Sequence, residues 1–234
     1  MVIKKIIRQI NRGVVLAVAL IIGLVLYLLI DSYKFNSEKA DIKSMVAAYA
    51  EEAESFNVFP EKFSKNLEKI PSEVLTDKKK ENLAVIDRYL ADSNITYYGT
   101  SANQLAIGGL DSSFKSNNEE GAFVLDCQFA ILRVESLKKK GPDIAAADIT
   151  VRTTLKTIGN PYYLNLFLET IANTDDMNYK DYEGNKNYYE TDTEEHYYTS
   201  ENTFTGVLFQ KIDGKWKIVE ADGIHSPFSA MVGV

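Results

Sequence analysis

The chain reads as an α+β protein: an N-terminal transmembrane helix followed by helices packed on a curved, mainly antiparallel sheet. Three observations predict this. An uncharged apolar run covers Gly13 to Ile30. Apolar residues then recur at helical spacing as far as Leu90, and from Phe123 the period changes to alternation, as in strands with one buried face.

The apolar run reads GVVLAVALIIGLVLYLLI. At about 1.5 Å per residue it nearly crosses a hydrocarbon core of ~30 Å, and its flanks fill the rest. Lys4, Lys5, Arg8 and Arg12 precede it and Asp31 follows, so the positive-inside rule places the N-terminus in the cytoplasm. Asp31, Ser32, Tyr33, Lys34 and Phe35 offer no small-x-small cleavage site, which favours a retained anchor over a signal peptide. The expected organisation is a cytoplasmic tail (1–12), a transmembrane helix (13–30), a linker (31–40) and an extracytoplasmic domain (41–234). The expected location is the cell membrane, single-pass, with the C-terminal domain outside.

Ser37 is placed to cap the first helix of that domain, with Glu38 and Asp41 near its positive end. Ile42, Met45, Val46, Tyr49, Ala53 and Phe56 would share its buried face. Pro60 starts a short second helix with Phe63, Leu67 and Ile70 inward, and Pro71 stops it. A third helix follows Thr76, using Leu83, Ile86 and Leu90. Small strands are expected at Ile95–Tyr98 and Leu105–Ile107.

Phe123, Leu125, Cys127, Phe129 and Ile131 alternate with Val124, Asp126, Gln128 and Ala130, which predicts a long strand. Lys138 to Pro142 form a polar turn. Ile149, Val151, Thr153 and Leu155 then mark a partner strand. Tyr162–Ile171 fits a strand or a helix equally. Phe204–Lys211 and Lys215–Ala221 flank Asp213-Gly214, a hairpin turn in which both positions tolerate positive φ.

Composition limits the function. The chain is 45% hydrophobic and 25% charged, which excludes global disorder. Its net charge of −7 hides an asymmetry: residues 1–30 hold four basic residues and no acid. The remainder is strongly acidic, so no nucleic acid is expected as a partner. Cys127 is the lone cysteine, which excludes an internal disulfide and a four-cysteine zinc site. A cysteine-poor outer domain suits a bacterial envelope.

The stretch from Asn173 to Asn202 carries the candidate site. Asp175, Asp176, Asp181, Glu183, Glu190, Asp192, Glu194, Glu195 and Glu201 stand against Lys180 and Lys186, with six tyrosines among them. One reading is a recognition loop, in which Tyr188, Tyr189, Tyr197 and Tyr198 supply contact area and Asp192, Glu194 and Glu195 select a basic surface. The other is a solvated insertion whose tyrosines pack on the sheet edge. A calcium-loop pattern around Gly184 and Glu190 fails at its first ligand position, where Tyr179 stands. Ser112 to Lys115 and Ser136 to Lys139 match a serine-x-x-lysine box without its Lys-Thr-Gly companion. His196 and His225 lie in no metal-spaced pair, and Cys127 reads as a small buried hydrophobe. No catalytic residue, metal or cofactor is expected.

The ending GVLFQKIDGKWKIVEADGI resembles the closing hairpin of the nuclear transport factor two-like, cystatin-like cone superfamily, where an aromatic, here Trp216, packs into the cone. That resemblance implies a cone-shaped outer domain. Some members are enzymes of the ketosteroid isomerase type. Others, on a single N-terminal anchor, are assembly factors of bacterial type IV secretion and conjugation channels. Asn160-Pro161, followed by Tyr162 and Tyr163, matches only half of the Asn-Pro-x-Gly loop of that second group. The leading expectation is a non-enzymatic envelope protein that binds other membrane or envelope proteins, as a secretion or conjugation subunit. The alternatives are an immunity protein neutralising a basic exported protein, and an isomerase-like enzyme using the cone pocket.

Overall fold

The computed structural model describes residues 12–56, 58–65, 68–92, 103–104, 107, 122–159 and 195–220. The chain divides into two units, residues 1–42 and 43–234. Helix α1 (Arg12–Ala53) spans the division. Residues 13–30 are exposed along their whole length, and α1 is long and apolar enough to cross a membrane. No glycine or proline occurs between Asp31 and Ala53, so nothing terminates the helix there. Residues 31–40, read above as a linker, are therefore helical. Ser37 caps nothing: the preceding turns already use the nearby N–H groups, and its Oγ donates back to the Lys34 carbonyl at 2.7 Å.

The second unit buries Val46, Tyr49, Ala50 and Ala53 along α1, and Phe56 just after it. The Tyr49 ring meets the rings of Phe56 and Tyr89 at 6.5 and 5.7 Å. Helix α2 (Glu61–Lys65) is one short turn after Pro60, with Phe63 buried. Leu67 lies outside the described residues. Helix α3 (Ser72–Tyr89) begins directly after Pro71 and not after Thr76. Proline suits that place because it withholds an N–H that the first turn would leave unpaired. Thr76 is already helical, its Oγ1 donating to the Ser72 carbonyl at 2.7 Å.

Hydrogen bonds tie α3 to its surroundings. Buried Asn82 donates Nδ2 to the Phe56 carbonyl at 2.8 Å. Glu52 accepts from Arg88 Nη1 at 2.6 and 2.7 Å and from the Tyr89 hydroxyl at 2.7 Å. Past the helix, Leu90 is extended and Ala91 donates its N–H to the Ile218 carbonyl at 2.9 Å. Ile95–Tyr98 lies outside the described residues. Asn103, Gln104 and Ile107 are helical, which overturns a strand ending at Ile107; three apolar residues have no period of their own.

The sheet is an antiparallel meander of β1 (Ala122–Gly141), β2 (Ile144–Gly159), β3 (His196–Ile212) and β4 (Lys215–Glu220), in that order. It is curled into a half-barrel. Register shifts interrupt the β1–β2 ladder at four places, and bulges of this kind bend and twist long strands. On β2 the odd positions face inward: Ile149, Val151, Thr153 and Leu155 are all buried. Register sets Cys127 against Leu155 and Phe129 against Thr153, so β1 lays its apolar face on the same side. Phe209 of β3 and Ile218 of β4 form a further fully buried pair. Trp216 is also buried.

The β1–β2 turn is tighter than expected. Lys138, Lys139 and Lys140 are strand residues, and only Pro142 and Asp143 form the turn, closed by the Gly141–Ile144 pair. Long lysine side chains fit a strand end because their charged tips reach water. The second hairpin turns at Asp213 and Gly214, with φ of 50° and 79°, the left-handed pair a two-residue hairpin needs. Among the described strands β1 lies at one edge. One of its outward N–H groups, Phe129, is satisfied by Glu54 Oε1 at 2.9 Å.

Candidate functional site

β3 begins at His196, well before the expected Phe204, so Tyr197 to Asn202 are strand residues and not part of a loop. Their pairing with β2 supplies the reason: Tyr197 lies opposite Lys156, Tyr198 opposite Leu155 and Glu201 opposite Arg152. Sequence reasoning missed this because neither tyrosines nor acids in the segment alternate with apolar residues. The ladder depends on a partner more than thirty positions away.

Three cross-strand rungs make the solvent-facing side of the sheet. Asp126, Lys156 and Tyr197 form the first, Gln128, Thr154 and Thr199 the second, and Ala130, Arg152 and Glu201 the third. Tyr197 is the large side chain that stands out, 68% exposed. Its hydroxyl donates to Glu195 Oε2 at 3.3 Å, and Lys156 Nζ lies 2.8 Å from the same oxygen. Lys156 Nζ also sits 5.5 Å from the centre of the Tyr197 ring. Lysine, carboxylate and phenol therefore hold one another. On the third rung Arg152 Nε donates to Glu201 Oε1 at 2.8 Å.

The hydrogen bond from Lys156 holds the Glu195 carboxyl below its ordinary range, against the opposing effect of burial and with help from the lysine charge and Tyr197. The reciprocal bond to Glu195 raises the Lys156 ammonium. For a carboxyl lowered in the folded state, the stabilisation is complete above the ordinary carboxylate range. It is lost as pH falls through the lowered value. At neutral pH the pair is intact, so Glu195 presents no uncompensated charge.

Tyr188, Tyr189, Asp192 and Glu194 lie outside the described residues, as do the calcium-loop pattern, Ser112 to Lys115, Tyr162–Ile171 and His225. Tyr198 is placed by register alone, opposite Leu155. The second serine-x-x-lysine box falls on β1, where Ser136 occupies a bulge with φ of 52°. Among the described residues, no three His, Cys, Asp or Glu side chains gather as a metal site. Cys127 is buried at 7% exposure. The two basic side chains that hold the polar face, Lys156 and Arg152, were not singled out from sequence. Their outward parity on β2 was readable, but their partners were not. Compared with protein-family models, curated proteins and solved structures, the chain matches none.

Proposed function

We propose that the chain is a non-enzymatic, single-pass envelope protein whose outer domain binds other proteins. In this reading residues 13–30 are a retained anchor with the N-terminus in the cytoplasm. The outer domain is a cone-like member of the nuclear transport factor two-like superfamily, and the anchored assembly factors of type IV secretion and conjugation channels are its nearest functional analogues. The recognition surface runs from Tyr188 to Tyr198 and continues onto the polar face of the sheet.

The observation that carries this reading is Tyr197: a broadly exposed aromatic whose hydroxyl and ring are both engaged, by Glu195 and Lys156. An aromatic held in place before binding loses little entropy when it meets a partner. The anchor helps as well, because confinement to one membrane raises the effective concentration of the domain toward other membrane-bound subunits.

The test is cross-linking in native membranes. The variant Tyr197→Ala, Asp192→Ser, Glu194→Ser should melt within a few degrees of wild type, since exposed substitutions change stability by about 0.5 kcal/mol each. Loss of an aromatic anchor at an interface costs about 2 kcal/mol, roughly 30-fold in affinity. Partner capture should fall accordingly, and the loss should be larger at low salt, where surface charge is least screened. An unchanged cross-link pattern would refute this surface as the recognition site.

A further inference from the structure

The two hairpin turns lie at one end of the sheet and are bonded to each other: the Lys211 N–H donates to the Asp143 carbonyl at 2.8 Å. That end concentrates positive charge in an otherwise acidic domain. Residues 138–146 and 208–217 hold six lysines against two aspartates, Asp143 and Asp213. Lys138, Lys140 and Lys215 are exposed. Lys211 lies over the Trp216 ring, 5.8 Å from its centre, and Lys217 donates to the Asp87 carbonyl at 2.5 Å, so neighbouring lysines are held at the same end.

The described ends that flank the acidic connection lie at the other end of the sheet. β2 leaves the hairpin end at Ile144 and finishes at Gly159, and β3 begins at His196, opposite Thr157. The connection between them therefore departs from and returns to the opposite end, about 40 Å away at ~3.3 Å per residue. From Asp175 to Glu194 that connection carries seven acids against Lys180 and Lys186. Folding back over its own lysines would use most of its length on the round trip. A second copy, anchored in the same membrane, meets the same lysines without that constraint.

We propose that the lysine-rich hairpin end docks the acidic segment 175–194 of a second copy of this chain. The inference rests on the reading of that segment as a recognition element, and it supplies the basic surface that reading requires. The contact is head to tail, one end against the other, and unlike a two-fold interface it leaves one end of each copy open to a further copy.

The experiment uses two differently tagged full-length copies co-expressed in their native membrane and a zero-length carbodiimide cross-linker, which joins lysine amines to carboxylates. Wild type should give a cross-link between copies, mapped by mass spectrometry to Lys138, Lys140 or Lys215 and the acidic segment. Reversing the lysines (Lys138→Glu, Lys140→Glu, Lys215→Glu) should reduce it at least tenfold. Reversing the acids (Glu190→Lys, Asp192→Lys, Glu194→Lys) should do the same. Co-expressing the two reversed chains should restore it, and a merely misfolded variant would not be restored. An undiminished cross-link between lysine-reversed copies overturns the proposal. So does a wild type that joins no second copy, or whose hairpin end retains anionic phospholipid vesicles without joining one. In either of the last two cases, loss of another protein's capture in the Tyr197→Ala, Asp192→Ser, Glu194→Ser variant would leave the recognition surface standing and the second copy refuted. No capture of any protein would refute both.

Discussion

Cys127→Asp is expected to unfold the domain that follows the apolar helix, or to leave it so unstable that it melts near room temperature. Cys127 is 7% exposed on the inner face of β1, opposite Leu155 and two residues from buried Phe129. Burial pushes its thiol well above the ordinary range, and the carboxylates of Glu54 and Asp126 push the same way. An aspartate at this position would lose its hydration and meet the like charges of Glu54 and Asp126. Burying such a group costs about 4 kcal/mol or more, against a total stability on the order of 5–15 kcal/mol. Thermal unfolding of the full chain in detergent, followed by the fluorescence of the single tryptophan, Trp216, would measure the loss. Cys127→Ala is the control, and it should cost far less because it removes only a small side chain. In wild type the thiol should resist a maleimide in native buffer and react after denaturation. Rapid native labelling would contradict the β1–β2 register.

The second large effect is expected at Phe209. Its side chain is 0% exposed, and its β-ladder neighbours are Ala145 on one side and Ile218 on the other. Ala145, directly opposite, and Ala147, two residues on, are also buried and small, so a large ring suits a close-packed position here. Phe209→Ala removes the ring and leaves a cavity, at a cost of about 3–5 kcal/mol. Phe209→Leu keeps most of the volume and should cost under ~1.5 kcal/mol. Denaturant titration of the three chains should give midpoints in that order. Equal midpoints for wild type and Phe209→Ala would show that the β2–β3–β4 face does not form the core.

Local patterns carried much of this fold. The apolar run 13–30 marked the exposed helix, the alternation at Phe123–Ile131 and Ile149–Leu155 marked two paired strands, and Asp213-Gly214 marked a turn whose backbone demands few other residues. The misplaced boundaries share a cause: residue types that tolerate several settings. Ser37 and Thr76 are good caps, but both sit within helices that begin earlier. The three lysines before Gly141 looked like a turn because they are polar, yet only Pro142 and Asp143 turn. The polar face of the sheet was the least legible part. Tyr197 was singled out for its composition, but the Lys156–Glu195–Tyr197 group exists only through cross-strand register. No pattern within one strand encodes a partner across a long connection.

The fold also accounts for what the candidate surface offers. Strand pairing fixes the backbone under Tyr197, and the salt bridge beside it neutralises Glu195 in place. The neighbouring Arg152–Glu201 pair does the same on the third rung. The described part of the surface is thus close to charge balance, with an aromatic at its edge.

In the proposed reading this domain is displayed outside the cell on an anchor that stays attached. Protease treatment of intact cells, followed by mass measurement of the purified protein with and without that treatment, tests it most directly. The expected result is an untreated protein whose first residues still precede Gly13, and loss of the domain beyond Asp31 when protease is added outside. A new N-terminus between Asp31 and Ala40 in untreated cells, or a domain that survives protease until the membrane is opened, would contradict it.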